Sequence, residues 1–192
     1  MLVPILTDGN CFLRAIAAFL NDDIKNANRN ENGRINNKYL RDKETNFTKF
    51  LRYSCVNVIE TEKSLYRCAS YYDDYLYENI EDRINKMYNN KEYIGRLEML
   101  VISSMYKIQL NIYVLHNDDY NLINTIGKNT YRQCNLLLND RHYQLIINMS
   151  NESIRRPDTP RYVFENDLPE IIINEYEKDI DELESSKINP IS

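Results

Sequence analysis

Apolar and polar positions divide the chain into a helical first half and a strand-rich second half. Residues 12 to 20 are apolar except for Arg14: Phe12, Ala15, Ile16 and Phe19 fall on one face of a helix and Leu13, Ala17 and Leu20 on another. A helix that is apolar all round is a buried one. Residues 21 to 45 are polar, rich in Asn, Asp and Lys, and read as a loop with at most a short helix around Tyr39. From Phe47 the apolar positions Phe47, Phe50, Leu51, Ser54, Cys55 and Val58 repeat at helical spacing, with Thr45 or Asn46 as the cap. Leu65, Cys68, Ala69 and Tyr72 predict another helix, and Leu76, Ile80, Ile84 and Met87 a third. Arg96 to Tyr106 predicts a helix that opens at Gly95 and turns Leu97, Leu100, Val101, Ser104 and Met105 inward.

The period then changes from helical to alternating. Ile108, Leu110, Ile112 and Val114 alternate with Lys107, Gln109, Asn111 and Tyr113, the strand signature. His116 to Asp119 turns this strand into a second one, Leu122 to Ile126. A third, around Asn135 to Leu138, meets a fourth, His142 to Asn148, through Asn139, Asp140 and Arg141. Helices followed by an antiparallel sheet define an α+β class. After Ser150, Arg155, Arg156, Pro157, Pro160 and Pro169 mark a linker, and Ile172 or Ile173, Tyr176, Ile180 and Leu183 recur at helical spacing among acids. The chain thus divides into a domain of residues 1–150 and an acidic extension of residues 151–192. The extension reads as a helix docked on its own domain, a partner-binding helix or a disordered tail.

Composition narrows the function classes. At 192 residues, 43% hydrophobic and 28% charged, the chain suits one soluble domain with room for a core. Residues 151–192 hold 11 acids and 5 bases, and the rest 18 acids and 19 bases, so the body is near neutral and the tail acidic. No basic stripe supports nucleic-acid binding. Cys11, Cys55, Cys68 and Cys134 form no Cys-x-x-Cys pair, which argues against zinc or any other metal, and no cofactor motif is present. The start lacks the pattern of a signal peptide, and the apolar run to Leu20 is too short to span a membrane. Free thiols point to a reducing, intracellular setting, cytoplasm or nucleus.

Chemistry concentrates where Thr7, Asp8, Gly9 and Asn10 run into the apolar helix with Cys11 at the junction. Gly takes positive φ freely, and Asp and Asn bond neighbouring N–H groups, so this is a turn. A cysteine in a helix's first turn meets unpaired N–H groups and the positive end of the macrodipole. Making thiolate the main species at neutral pH takes roughly 2.7 kcal/mol, more than a dipole alone supplies. A histidine partner is required, and the chain has two, His116 and His142. His116 lies in a charged hairpin turn. His142 begins a strand after a tight turn, an edge position that suits either a structural histidine or one facing a cleft.

Asp8 to Ile16 resembles the nucleophile motif of the ovarian-tumour (OTU) cysteine proteases, papain-like deubiquitinases. Leu51-Arg52 resembles that family's Leu-Arg helix, and Tyr93 to Glu98 followed by Ile108 to Leu115 its Gly-x-x-Glu helix and central strand. Leu136 to Leu138 followed by His142-Tyr143 resembles the strand leading to its catalytic His-Tyr. The resemblance spans residues 5 to 148. It implies an OTU-like fold, helices on a small antiparallel sheet with a central buried helix carrying the nucleophile. It also implies a thiol protease of the ubiquitin-conjugation pathway, monomeric, cleaving at the C-terminus of ubiquitin or a ubiquitin-like modifier. Cys11 is then nucleophile and His142 base and acid. The position two after the histidine, usually Asp or Asn in the family, is Gln144, whose amide can orient the ring without adding charge. Asp8 belongs to the loop that shapes the oxyanion hole, or is a turn residue capping the Cys11 helix. Glu98 reads as structural. A binding module of the same fold and an adaptor acting through the acidic tail are the alternatives.

Overall fold

The computed structural model describes residues 1–62, 80–89, 91–127, 132–147 and 154–155. In chain order these form β1 (Leu2–Val3), α1 (Cys11–Leu20), α2 (Asp22–Lys25), α3 (Lys38–Thr61), α4 (Ile80–Met87) and α5 (Arg96–Tyr106). The strands β2 (Gln109–His116), β3 (Asp119–Ile126), β4 (Gln133–Asn139), β5 (His142–Ile146) and β6 (Ile154–Arg155) follow. The helix expected from Leu65 and the one expected around Tyr176 lie outside the described residues.

The α+β class stands, with a central buried helix: every residue of α1 from Cys11 to Ala18 is buried, packed between α3 and the sheet strand β5. The sheet itself differs from the expected antiparallel one. Among the described residues its six strands run in the order β1-β5-β4-β2-β3-β6, and β2 pairs with β4 in parallel. The reason lies in the pairing ends. The hairpin returns the chain to the start of β2, where Ile126 lies opposite Leu110, and β4 then begins on the other side of β2 with Gln133 beside Gln109. Two strands that start at the same sheet end and run the same way are parallel. Ile154 and Arg155, the described part of the 151–192 extension, pair with β3 at the opposite edge.

Both faces of the central strand are covered. Leu110 and Ile112 enter the main core, and Asn111 and Tyr113, the alternate positions of the strand, are also only 4% and 3% exposed. Asn111 is satisfied by amides and a hydroxyl: it donates to Asn135 and Gln133 and accepts from Gln109 and Thr125. Tyr113 joins Leu137 and Ile146 in a second, smaller apolar cluster.

Helix α3 begins earlier than its apolar pattern suggests. Asn37 is the cap, its side chain accepting the Leu40 N–H at 3.1 Å. The buried face comprises Glu44, Thr48, Leu51, Arg52, Cys55, Val56 and Ile59, while Phe50, expected inside, is 57% exposed. Glu44 is buried because Arg14 and Arg29 each reach it at 2.8 Å. In α5 the inward set is Leu97, Glu98, Met99, Val101, Ile102 and Ser103, and Ser104 is exposed. Glu98 accepts from Arg83 through both carboxylate oxygens and from the Gly95 N–H at 2.6 Å, a structural role that starts the helix.

Candidate active site

The turn before α1 is fixed by one carboxylate and one glycine. Asp8 Oδ1 accepts the Asn10 N–H at 3.1 Å, and both its oxygens accept from Arg14, the closest contact being 2.7 Å. Arg14 continues to Glu44 and Glu44 to Arg29, so alternating charges run from the turn into the core. Gly9 has φ +78, and a Cβ there would stand 2.3 Å from the Lys91 carbonyl oxygen. Only glycine supplies both that conformation and that approach. Asn10 is held from behind by Arg52, whose Nη2 donates to its side-chain oxygen at 2.8 Å.

Cys11 is therefore the first residue of a buried helix, and the residue is 3% exposed. The start of β5 closes over it. Sγ donates to the Arg141 carbonyl at 3.8 Å and accepts the Tyr143 N–H at 3.5 Å, so the backbone on both sides of His142 clasps the sulfur. Tyr143 also packs its ring edge on Phe12 at 5.5 Å between centroids. The clasp depends on the β4–β5 hairpin, where Asn139 pairs with His142 and the two turn residues, Asp140 and Arg141, both have positive φ. That pattern defines a type I′ hairpin.

Burial raises the thiol's pKa above its ordinary value; the N–H groups of Tyr143 and Phe12 pull it down, Asp8 pushes it up, and the Cys11 N–H lowers it. For His142 burial lowers the pKa, against the Ile5 carbonyl and the Asp8 charge, which raise it. Both shifts favour the uncharged forms, thiol and imidazole. No hydrogen bond joins the two side chains: the His142 Nδ1 lies 3.5 Å from Thr7 Oγ1.

Four candidate residues thus come into one region, in different relations. Cys11 is in contact with the backbone of Arg141 and Tyr143 on either side of His142, and the Asp8 charge acts on both Cys11 and His142 while its oxygens are engaged by Asn10 and Arg14. Gln144 follows on β5, opposite Leu137, and its amide makes no hydrogen bond to His142. His116 is exposed at the end of β2. Cys55 and Cys134 are fully buried, and burial pushes both thiols far above the ordinary range. Cys68 lies outside the described residues. Among the described residues no cluster of His, Cys, Asp and Glu could hold a metal ion, and no helix is long and apolar enough to cross a membrane.

Sequence reasoning did not reach Thr7 at His142, the Asp8–Arg14 pair or the Arg52–Asn10 bond. Arg14 was the available signal. A lone guanidinium in an otherwise apolar, buried helix demands a buried counter-charge, and Asp8 is the nearest acid in the sequence.

No family model matches the chain, and no curated protein matches it. Solved structures do. The viral OTU domain protease from Dera Ghazi Khan virus is 14% identical with a TM-score of 0.55, over 78% of this chain and 81% of that one. The viral OTU domain protease from Qalyub virus is 18% identical with a TM-score of 0.53, over 77% and 83%. The Hazara virus OTU bound to ubiquitin is 15% identical with a TM-score of 0.53, over 77% and 82%. At such identities the likeness is one of architecture, and it agrees with the order of helices and strands found here: the chain has the OTU fold.

Proposed function

We propose that the chain is a thiol-dependent deubiquitinase that cleaves the isopeptide bond at the C-terminal glycine of ubiquitin or a ubiquitin-like modifier. The observation that carries this reading is the clasp: the residues flanking His142 both touch the sulfur of Cys11. Proton transfer would then need Nε2 of the adjoining imidazole to face Sγ. Cys11 would give its proton to His142 and attack the carbonyl, and the imidazolium would return that proton to the leaving lysine amine. Water would release the thioester. N–H groups of the first turn of α1 favour the anionic states, and Asp8, locked by Arg14, holds the loop that presents them. The OTU fold, and a neighbour of that fold bound to ubiquitin, support the substrate class. The partner proposed is ubiquitin or a relative and its conjugates, met by a monomer in an intracellular setting.

A second reading, a ubiquitin-binding module of the same fold, is favoured by the burial of Cys11 and by the missing thiol–imidazole hydrogen bond. Ubiquitin bearing a C-terminal electrophile separates the two. The enzyme should form a covalent adduct that Cys11→Ala abolishes; binding without an adduct, for ubiquitin and each ubiquitin-like modifier tried, would establish the module.

A further inference from the structure

We propose that Thr7 is the positioning residue of His142, holding the imidazole in the tautomer that the reaction needs. The proposal deepens the protease reading and rests on it for its kinetic part. Its basis is geometric. The Cys11 sulfur contacts the peptide groups before and after His142, and the Ile5 carbonyl also acts on the ring, so what remains to be set is the ring's tautomer and the partner at Nδ1. The side-chain group at Nδ1 is the Thr7 hydroxyl, 3.5 Å away, whereas Gln144 makes no hydrogen bond to the ring.

Thr7 is exposed, but the chain on either side of it is anchored. Five residues earlier Leu2 pairs with Ile146 of β5 and Val3 with Leu145, and one residue later Asp8 is anchored by Arg14 and by the Asn10 N–H. A β-branched side chain is restricted at χ1, which narrows the directions its hydroxyl can take. That hydroxyl has a lone pair for Nδ1–H, which leaves the Nε2 lone pair to take the thiol proton. When the ring becomes an imidazolium, Nδ1–H still donates to the same oxygen, so one contact serves both protonation states. The burial that favours a neutral His142 is compatible with an uncharged partner. A separation of 3.5 Å is long for a neutral hydrogen bond, and catalytic contacts of this kind shorten when substrate closes the site.

Thr7→Val removes the hydroxyl and keeps the shape; Thr7→Ser keeps the hydroxyl. In the full chain, steady-state hydrolysis of a ubiquitin C-terminal fluorogenic amide should show about a three- to tenfold lower kcat for Thr7→Val with KM unchanged, and recovery to within about twofold for Thr7→Ser. Nitrogen NMR of the imidazoles gives a readout independent of turnover. Two histidines are present, so a His116→Gln background isolates His142. Thr7→Val should shift its tautomer ratio and titration midpoint, and Thr7→Ser should not. Unchanged imidazole signals in folded Thr7→Val overturn the proposal, as does a loss in Gln144→Ala with none in Thr7→Val. Absence of turnover in the wild type would refute the protease reading, and the imidazole signals would still decide the role of Thr7.

Discussion

Arg52, in the middle of α3, donates to the side chain of Asn10 at 2.8 Å and so braces the residue that precedes the nucleophile. The guanidinium is completely buried and also donates to the carbonyls of Glu92 and Met87, at 2.7 and 3.3 Å. Its neighbourhood lowers its pKa, chiefly through burial, although Glu98 and Glu92 oppose the effect. Four segments therefore meet at one cation: α3, the turn before α1, the end of α4 and the segment before α5.

Replacing that cation should cost stability first and reactivity second. Arg52→Met fills much of the volume but removes the donor to Asn10, Met87 and Glu92, at about 1–3 kcal/mol for such a loss. Arg52→Lys keeps the charge but cannot span the same acceptors, so it should recover only part. Urea unfolding midpoints measure this directly. An Arg52→Met midpoint equal to that of the wild type would show that the brace carries no stability.

Small alkylating reagents should find Cys11 a slow thiol in the free protein. Its pKa is raised by burial and the β5 backbone covers it. Cys55 and Cys134, more deeply buried, should be slower still while the protein is folded. Mass spectrometry of partially modified protein should show Cys11 labelled before these two, at a rate below that of free cysteine at the same pH. Faster labelling than free cysteine would mean that the thiolate is already formed at rest.

Stability should fall on both sides of a neutral plateau. His142 has a folded pKa below its ordinary value of about 6.5, so the unfolded chain takes the proton first. Its contribution is complete above that value and is lost as pH falls toward the folded pKa. Cys11, Cys55 and Cys134 have raised pKa values, so their contribution is complete below the ordinary thiol range and is lost as pH rises. Thermal melts against pH should therefore show a decline below about pH 6.5 that His142→Gln makes shallower. An acid limb identical in His142→Gln would locate the titrating group elsewhere.

The site was legible where apolar pattern and turn chemistry coincide, and illegible where polar groups are buried. Cys11 stands out because a turn meets an all-apolar helix, and the β2–β3 and β4–β5 hairpins because Asn, Asp and Arg interrupt alternating strands. The early start of α3 was hidden because Glu44, not an apolar residue, carries the helical period there, its burial made possible by Arg14 and Arg29. Asn111 was hidden in the same way, since an amide looks outward in sequence until its partners on β3 and β4 are known. The parallel β2–β4 pair depends on which side of β2 the chain crosses to, which no periodicity encodes. Thr7 and His142 are 135 residues apart, and their meeting follows from β1 pairing with β5.

Asp8 is the residue at which structure and electrostatics pull in opposite directions, and Asp8→Asn separates them. The carboxylate anchors the turn through Arg14 and Asn10, yet its charge raises the pKa of the Cys11 thiol and that of the His142 imidazole. Losing the charge weakens a pair whose Arg14 partner is almost buried, so the variant should melt earlier; because Asp8 is partly open to solvent, the cost should fall below the roughly 3–5 kcal/mol of a fully buried pair. Both titrations should move down. The thiol then ionises more readily, and the imidazole holds a proton less readily. Alkylation of Cys11 followed against pH should show its midpoint displaced to lower pH, while hydrolysis, which needs the protonated imidazole for the leaving amine, falls. Lower hydrolysis with an unmoved alkylation profile would assign Asp8 to shaping the turn alone. An alkylation midpoint that rises would mean the turn has opened and the N–H groups of Phe12 and Tyr143 no longer face the sulfur.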